Sequence, residues 1–155
     1  MDGQERDPLR VVIETRPAGE SDLDELWRIQ SVSLPAVQWK VADYLRHECI
    51  VATIDARLAG DARLAGFAVA RRTAADELEI LNVAVDPPFR RRGVGRRMVE
   101  QLLGNFHGNV YLEVRASNLA ARKLYHSLGF EAVGVRNDYY DSPGESAIVM
   151  KFHSC

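Results

Sequence analysis

The sequence predicts a single α/β domain in which a mixed sheet carries helices on its faces. Three observations lead there. Strand-like and helix-like segments follow the order β-α-α-β-β-β-α-β-α-β-β. Leu78 to Val85 (LEILNVAV) is almost unbroken in apolar residues, as expected of a central strand covered on both sides. Just after it, Val94, Met98 and Leu102, with Val99 and Leu103, recur at helical spacing, so a strand passes through a Gly-containing turn into a helix. A chain of 155 residues suits one domain, and a domain near this size buries roughly 70% of its unfolded surface.

Residues 11–16 (VVIETR) read as the first strand, which Pro17-Ala18-Gly19 ends. Ser21 is the expected N-cap of a helix whose first turn holds Asp22, Asp24 and Glu25, where the helix dipole favours negative charge. Leu23, Leu26, Trp27 and Ile29-Gln30 should form its apolar side, and Pro35 should end it. A short helix is expected over 41–48, then a strand over 49–54. The pentapeptide ARLAG occurs at 56–60 and again at 62–66. Two such copies are too short for a repeat architecture and read as a lengthened connection into a strand at 64–71. Residues 73–76 turn into the central strand, which Asp86-Pro87-Pro88 stops. The helix over 93–103 leads to a strand at 110–115. Ser117 or Asn118 caps the next helix, which runs to about Leu128, with Gly129 placed to close it. Two last strands, 130–136 and 146–152, flank a loop around Asp141-Ser142-Pro143-Gly144. Residues 1–10 are polar and read as a flexible tail, so the domain occupies 11–155.

Hydrophobic residues make up 46% and charged residues 27% of the chain, an ordinary globular balance. A net charge of -2 argues against a dedicated nucleic-acid binder, so the arginines at 90–97 need another explanation. Cys49 and Cys155 have neither CxxC nor metal-ligand spacing. No metal is therefore expected, and a reducing, cytoplasmic setting fits. The charged N-terminus is not a secretory signal, and no apolar run approaches the ~18 residues of a membrane-spanning helix.

The chemistry gathers around Arg90-Arg91-Arg92-Gly93-Val94-Gly95. Glycines there let backbone N–H groups approach an anion, and a helix N-terminus adds about half a positive charge. Arg90, Arg91, Arg92, Arg96 and Arg97 raise the local potential, so a phosphate-bearing ligand is the natural guest. On spacing alone the segment equally suits a plain turn before a solvated basic helix. It lacks the GK[ST] ending of a Walker motif and the GxGxxG of a dinucleotide fingerprint. Downstream, Tyr111, Glu113 and Arg115 alternate with Val110, Leu112 and Val114, which puts Glu113 on a partly polar face of an interior strand. That position also suits a simple ion-pair partner for Arg115 or another cation. Asn118 and Tyr125 are seven residues apart and share one side of their helix. Taken singly, they read as a cap and a half-buried aromatic.

The wider stretch resembles a known family. Residues 81–87 (LNVAVDP), running into Arg90 to Gly95, are similar to the main cofactor motif of the GCN5-related N-acetyltransferases (GNAT). Residues 112–118 (LEVRASN), 124–130 (LYHSLGF), 136–140 (RNDYY) and 147–150 (AIVM) look like the RimI branch, which acetylates protein N-termini. The similarity is close over 78–151 and loose over 11–71. The resemblance implies the GNAT fold, a mostly antiparallel sheet with helices on both faces, and acetyl-CoA as co-substrate. It implies that Val83, Ala84 and Val85 offer backbone groups to the pantetheine arm. It implies further that Arg91, Arg92, Gly93, Val94, Gly95 and Arg96 hold the pyrophosphate through their N–H groups, and that Asn118 contacts the arm. Glu113 would be the general base and Tyr125 the general acid. Tyr139 and Tyr140, expected in the loop between the last strands, would grip an acceptor peptide, opposite a wall formed by 33–39.

An amine attacks a thioester only when unprotonated. An α-amino group, with a reference pKa of about 7.7–8.0, is freed more easily at neutral pH than a lysine near 10.4. With the resemblance, this makes a protein N-terminus the expected acceptor, that of a ribosomal protein being the example set by the branch's namesake. A small amine or antibiotic is the alternative acceptor, and a non-catalytic acyl-CoA sensor the alternative of another class. Neither a membrane nor direct nucleic-acid binding is expected. Asp141, where the branch commonly has proline, the short 104–109 connection and residues 33–39 depart from its pattern. These departures bear on the target peptide more than on the chemistry.

Overall fold

In the computed structural model, which describes residues 12–33, 40–55, 62–141 and 144–154, seven strands form one sheet. They are β1 (Val12–Pro17), β2 (Glu48–Asp55), β3 (Ala62–Ala74), β4 (Glu77–Val85), β5 (Gly108–Arg115), β6 (Glu131–Asp141) and β7 (Gly144–Ser154). Their spatial order is β1-β2-β3-β4-β5-β7-β6. The helices are α1 (Leu23–Ser33), α2 (Val41–Tyr44), α3 (Val94–Gly104) and α4 (Leu119–Ser127). All neighbouring strands are antiparallel except β4 and β5, which α3 connects, since parallel strands need a crossover. This is the mixed, mostly antiparallel sheet expected from the sequence.

The two-residue period of the strands decides which helix covers which face. On β3, Phe67 and Val69 bury to one side with Leu26 and Ile29 of α1 and Tyr44 of α2. Ala68 and Ala70 bury to the other side, with Val94, Met98, Val99 and Leu102 of α3 and Tyr125 of α4. The small Ala65, Ala68 and Ala70 let α3 lie close on the sheet. Burial of each large apolar side chain of α3 contributes about 1.5–3 kcal/mol. An isolated helix of this length is marginal in water, so packing rather than propensity holds α3 in place.

Several local expectations change. Trp27 is 63% exposed, because Leu26, Ile29 and Gln30 at i, i+3 and i+4 already fill the inner face of α1. The chain enters α1 through a 3-10 turn capped at Gly19, not at Ser21. The Asp22 carboxylate accepts the Gly19 N–H at 2.8 Å and two guanidinium bonds from Arg16 at 2.7 and 2.8 Å. The second helix ends at Tyr44, because pairing with β3 takes over at Glu48. β6 and β7 extend to Asp141 and from Gly144, so Tyr139 and Tyr140 belong to a strand rather than a loop. The second ARLAG copy lies in β3. The tail at 1–10, the first ARLAG copy, the wall at 34–39 and Cys155 lie outside the described residues.

Candidate active site

β4 and β5 pair only from Glu77↔Asn109 to Ile80↔Leu112. The cause lies in β4. Ile80 is opposite Ala70 and Asn82 opposite Val69, so Leu81 is an extra residue, a β-bulge. The bulge slips the side-chain phase: Ile80 and Val83, three residues apart, both face α3 and α4. It also adds twist, and β4 leaves β5 there. From Leu81 to Val85 the strand keeps β3 but has lost β5, so half of its N–H and C=O groups face an open edge. Such an edge suits an extended, amide-bearing arm. Successive residues alternate, so Val83 and Val85 turn their N–H and C=O groups to it, while Ala84 between them turns its own towards Phe67 of β3. The Val85 carbonyl already accepts from Ser33 Oγ at 3.1 Å and from Arg90 Nε at 3.4 Å.

The turn beyond β4 offers an anion its backbone. Arg91 (φ 63°) and Gly93 (φ 83°) adopt the left-handed conformation, which turns successive N–H groups to one side as in an anion-binding nest. The first intrahelical bond of α3 runs from the Arg97 N–H to the Gly93 carbonyl at 3.0 Å. Gly93, Val94, Gly95 and Arg96 therefore have N–H groups without an intrahelical acceptor. A Cβ on Gly95 would touch Val85 Cγ2 at 3.6 Å and Leu124 Cδ2 at 3.7 Å, so β4, α3 and α4 meet at this turn. The Arg96 side chain is held by Ser127 and Glu100, whereas Arg90, Arg91, Arg92 and Arg97 are exposed. Asp86, buried where β4 ends, takes an ion pair from Arg28 at 2.8 Å and so ties α1 to the turn.

Across the gap, Glu113 projects from β5 on the face opposite α3 and α4. Its Oε1 accepts from Arg136 Nη1 at 2.5 Å, and the carboxylate lies close enough to the Tyr139 hydroxyl to raise its pKa. Arg115, the partner nearer in sequence, instead meets Glu145 at 3.4 Å and lies over the Tyr140 ring at 4.1 Å. Arg136 lies over the Tyr139 ring at 4.5 Å. A second bulge brings these groups together. Arg136 is opposite Ala147 and Tyr140 opposite Glu145, which leaves Asn137, Asp138 and Tyr139 facing Ser146 alone. Asp138 absorbs the bend at φ 53°, a conformation that Asp tolerates better than most side chains. The bulge re-aims Tyr139 towards β5.

Tyr125 lies on the other face of the sheet, 8% exposed, with Phe130 edge-on at 5.6 Å. Burial pushes its hydroxyl up to about 12, and nearby Tyr140 adds to the shift. Tyr140 is raised by its own burial and then by Glu113, so it neighbours both candidate groups. Glu113 and Tyr125 thus lie on opposite faces of the sheet, with Tyr140 near both. Asn118 caps α4, its Oδ1 accepting the Ala121 N–H at 3.2 Å, which leaves its NH2 donors to other partners. The turn before it is fastened to β7. Ser117 donates its N–H to Glu145 at 2.5 Å, and the Ser117 hydroxyl, that N–H and Arg115 hold the Glu145 carboxyl below the usual carboxylate range.

Three contributors carry no role in the sequence reading. Arg136 and Glu145 give no local signal, since their partners lie 23 and 28 or more residues away. Asn82 does give one, as a polar residue inside LEILNVAV. Its Nδ2 donates to the Tyr44 hydroxyl at 2.8 Å, and that hydroxyl donates to Gln30 Oε1. This buried chain of bonds locks α1 and α2 to the bulge of β4. A separate cavity of about 280 Å³ lies between Pro17, Cys49, Leu102 and Asn105, at the far end of α3 from the turn, and contains none of the site residues.

The acetyltransferase (GNAT) family model matches residues 16–130. The chain belongs to this family. It is an acetyltransferase of that family, and its β6–β7 hairpin lies beyond the matched segment. It is similar to the [ribosomal protein bS18]-alanine N-acetyltransferase of Salmonella typhimurium, 36% identical over 84% of this chain and 90% of the relative. It is also similar to the N-alpha-acetyltransferase RimI of Mycobacterium tuberculosis, 44% identical over 56% of each chain. Among solved structures, the Escherichia coli ribosomal-protein-S18-alanine N-acetyltransferase superposes with a TM-score of 0.77 at 30% identity, covering 93% of this chain and 96% of that one. Ard1 from Thermoplasma volcanium superposes at 0.80 with 27% identity, covering 92% and 98%.

Proposed function

We propose that the protein moves an acetyl group from acetyl-CoA to the α-amino group of a protein N-terminus, in the manner of the RimI branch and in the cytoplasm. One observation carries the reading: a carboxylate ringed by tyrosines, Glu113 with Tyr139 and Tyr140, faces the gap where β4 leaves β5. Acetyl-CoA supplies an activated acetyl thioester. The open edge at Val83 and Val85, on either side of Ala84, suits its pantetheine arm, the N–H groups from Arg91 to Arg96 suit its pyrophosphate, and the Asn118 NH2 suits a contact to the arm. Glu113 takes the proton of the incoming ammonium, directly or through a water. Tyr125 returns a proton to the departing sulfur. Its hydroxyl, pushed up to about 12 by burial, carries the proton throughout the neutral range; the same burial makes it a weaker acid, so the transfer relies on the sulfur being the stronger base as it departs. Tyr139 and Tyr140 flank the first residues of the acceptor. Neither cysteine takes part: burial pushes the Cys49 thiol up to about 12, away from the nucleophilic thiolate.

The names of the Salmonella and Escherichia coli relatives favour a ribosomal-protein N-terminus as acceptor. The lower α-amine pKa supports the same choice over lysine. The test is a ladder of acceptors, from free amino acid through short peptides to a full N-terminal segment, read by CoA release. Rates should rise with peptide length and then level off. A free amino acid or polyamine reacting as well as a peptide overturns the reading in favour of a small-amine acetyltransferase.

A further inference from the structure

We propose that Arg136 is an internal stand-in for the acceptor's ammonium, occupying the carboxylate and the aromatic face that the acceptor must take, and so setting the acceptor's affinity. The proposal rests on the reading of Glu113 as the base. Two contacts of Arg136 are those an incoming ammonium needs. Its Nη1 donates to Glu113 Oε1 at 2.5 Å, and its guanidinium lies over the Tyr139 ring at 4.5 Å. A carboxylate and a π face together make a general cation site. The site is filled by a side chain rather than closed by packing.

The arrangement is reversible by construction. The Arg136 side chain is 56% exposed, against 19% for Glu113. Arg136 sits on β6, the edge strand, where the second bulge begins. It can swing into solvent without disturbing the sheet. Tyr139, whose hydroxyl the carboxylate already perturbs, stays beside Glu113 when Arg136 leaves, and the Glu113 side chain is 19% exposed to water, so the carboxylate is not stranded. Arg115 is a poor substitute, since Glu145 and the Tyr140 ring hold it. Glu79, the other nearby carboxylate, is engaged by Arg71 at 2.7 Å. The exchange therefore reduces to one cation for another at Glu113.

The experiment compares the parent, Arg136→Ala and Arg136→Lys with an N-terminal peptide and acetyl-CoA in steady state. Removing the competitor should lower the acceptor KM by roughly two- to five-fold, the scale of an exposed ion pair, with kcat and the acetyl-CoA KM held. Arg136→Lys keeps a cation within reach and should stay nearer the parent. Calorimetric binding of the peptide to the protein–CoA complex should tighten in Arg136→Ala in the same way, without turnover. An acceptor KM that is unchanged or raised overturns the proposal. So does a lysine variant that falls as far as alanine, since bulk rather than charge would then have been relieved. Glu113→Gln keeps the two readings apart. If it retains full turnover, the base assignment fails. If it abolishes turnover while Arg136→Ala leaves the acceptor KM untouched, the stand-in alone fails.

Discussion

From Asp86 to Arg97 the proposed ligand contacts are backbone groups; around β5, α4, β6 and β7 they are side chains. The first region needs one strand end, one helix start and two residues in the left-handed conformation, all within twelve consecutive positions. The second draws Glu113, Tyr125, Tyr139 and Glu145 from four elements and depends on a bulge to aim one of them. A backbone cradle recognises what every acetyl donor of this kind shares, a pyrophosphate and an amide arm. A side-chain surface can vary without disturbing the fold, so the proposal puts acceptor choice there. The family match covers the first region together with Glu113 and Tyr125 and ends at residue 130, so the tyrosine pair on β6 and Glu145 on β7 lie beyond it.

The sharpest way to separate the regions is Glu113→Gln. The account predicts a fall in kcat of roughly 10²–10⁴-fold, the usual share of a general base, with acetyl-CoA binding unchanged in a calorimetric titration. Tyr125→Phe comes next. It should cost turnover on a smaller scale, at least about tenfold, and also spare acetyl-CoA binding. Because the Tyr125 hydroxyl is pushed up to about 12, it stays protonated as the pH rises through the assay range. The parent should therefore show no loss of activity from Tyr125 ionisation below pH ~11. A basic limb near pH 9 that vanishes in Tyr125→Phe would contradict this.

Gly95→Ala sharpens the comparison from the cofactor side. The added methyl meets Val85 and Leu124 at ordinary contact distances, so the protein accommodates it. Thermal unfolding should shift by no more than about 0.5 kcal/mol, while the acetyl-CoA KM rises because the methyl enters the cleft between β4 and α4 that the proposal gives to the ligand. A variant that loses stability and cofactor affinity together would show that the turn serves only the fold. The smallest effect belongs to Arg91. Its left-handed conformation costs about 1–2 kcal/mol, and glycine returns about 0.5–1 kcal/mol of that through chain entropy. Arg91→Gly should raise the melting temperature slightly, with little change at the acceptor face.

The same division explains what was legible in the sequence. The strand LEILNVAV, the helical spacing of Val94, Met98 and Leu102, and the glycine turn between them are all local. The structure has them where they were expected, with Gly93 as N-cap rather than first helical residue. Trp27 misled because a four-residue apolar cluster does not say which member falls off the stripe. The Tyr139-Tyr140 pair was expected in a loop because Arg136 to Tyr140 lacks strand periodicity. A bulge breaks that periodicity while keeping the residues in the ladder. Glu113 stood out as a charge on an interior strand, but its partner lay open between Arg115 and another cation. Only the return of β6 past β7 makes that partner Arg136. Asn82 was visible and passed over, its polarity absorbed by Tyr44 and Gln30 from elements 38 and 52 residues earlier.

The account comes down to where the acetyl group ends up. A peptide carrying a free α-amine and an internal lysine, incubated with the protein and acetyl-CoA, should gain one acetyl group. Fragment mass spectrometry should place it on the α-amine, and Glu113→Gln should abolish the product. Acetyl found on the lysine, or an undiminished α-amine product with Glu113→Gln, would contradict the account.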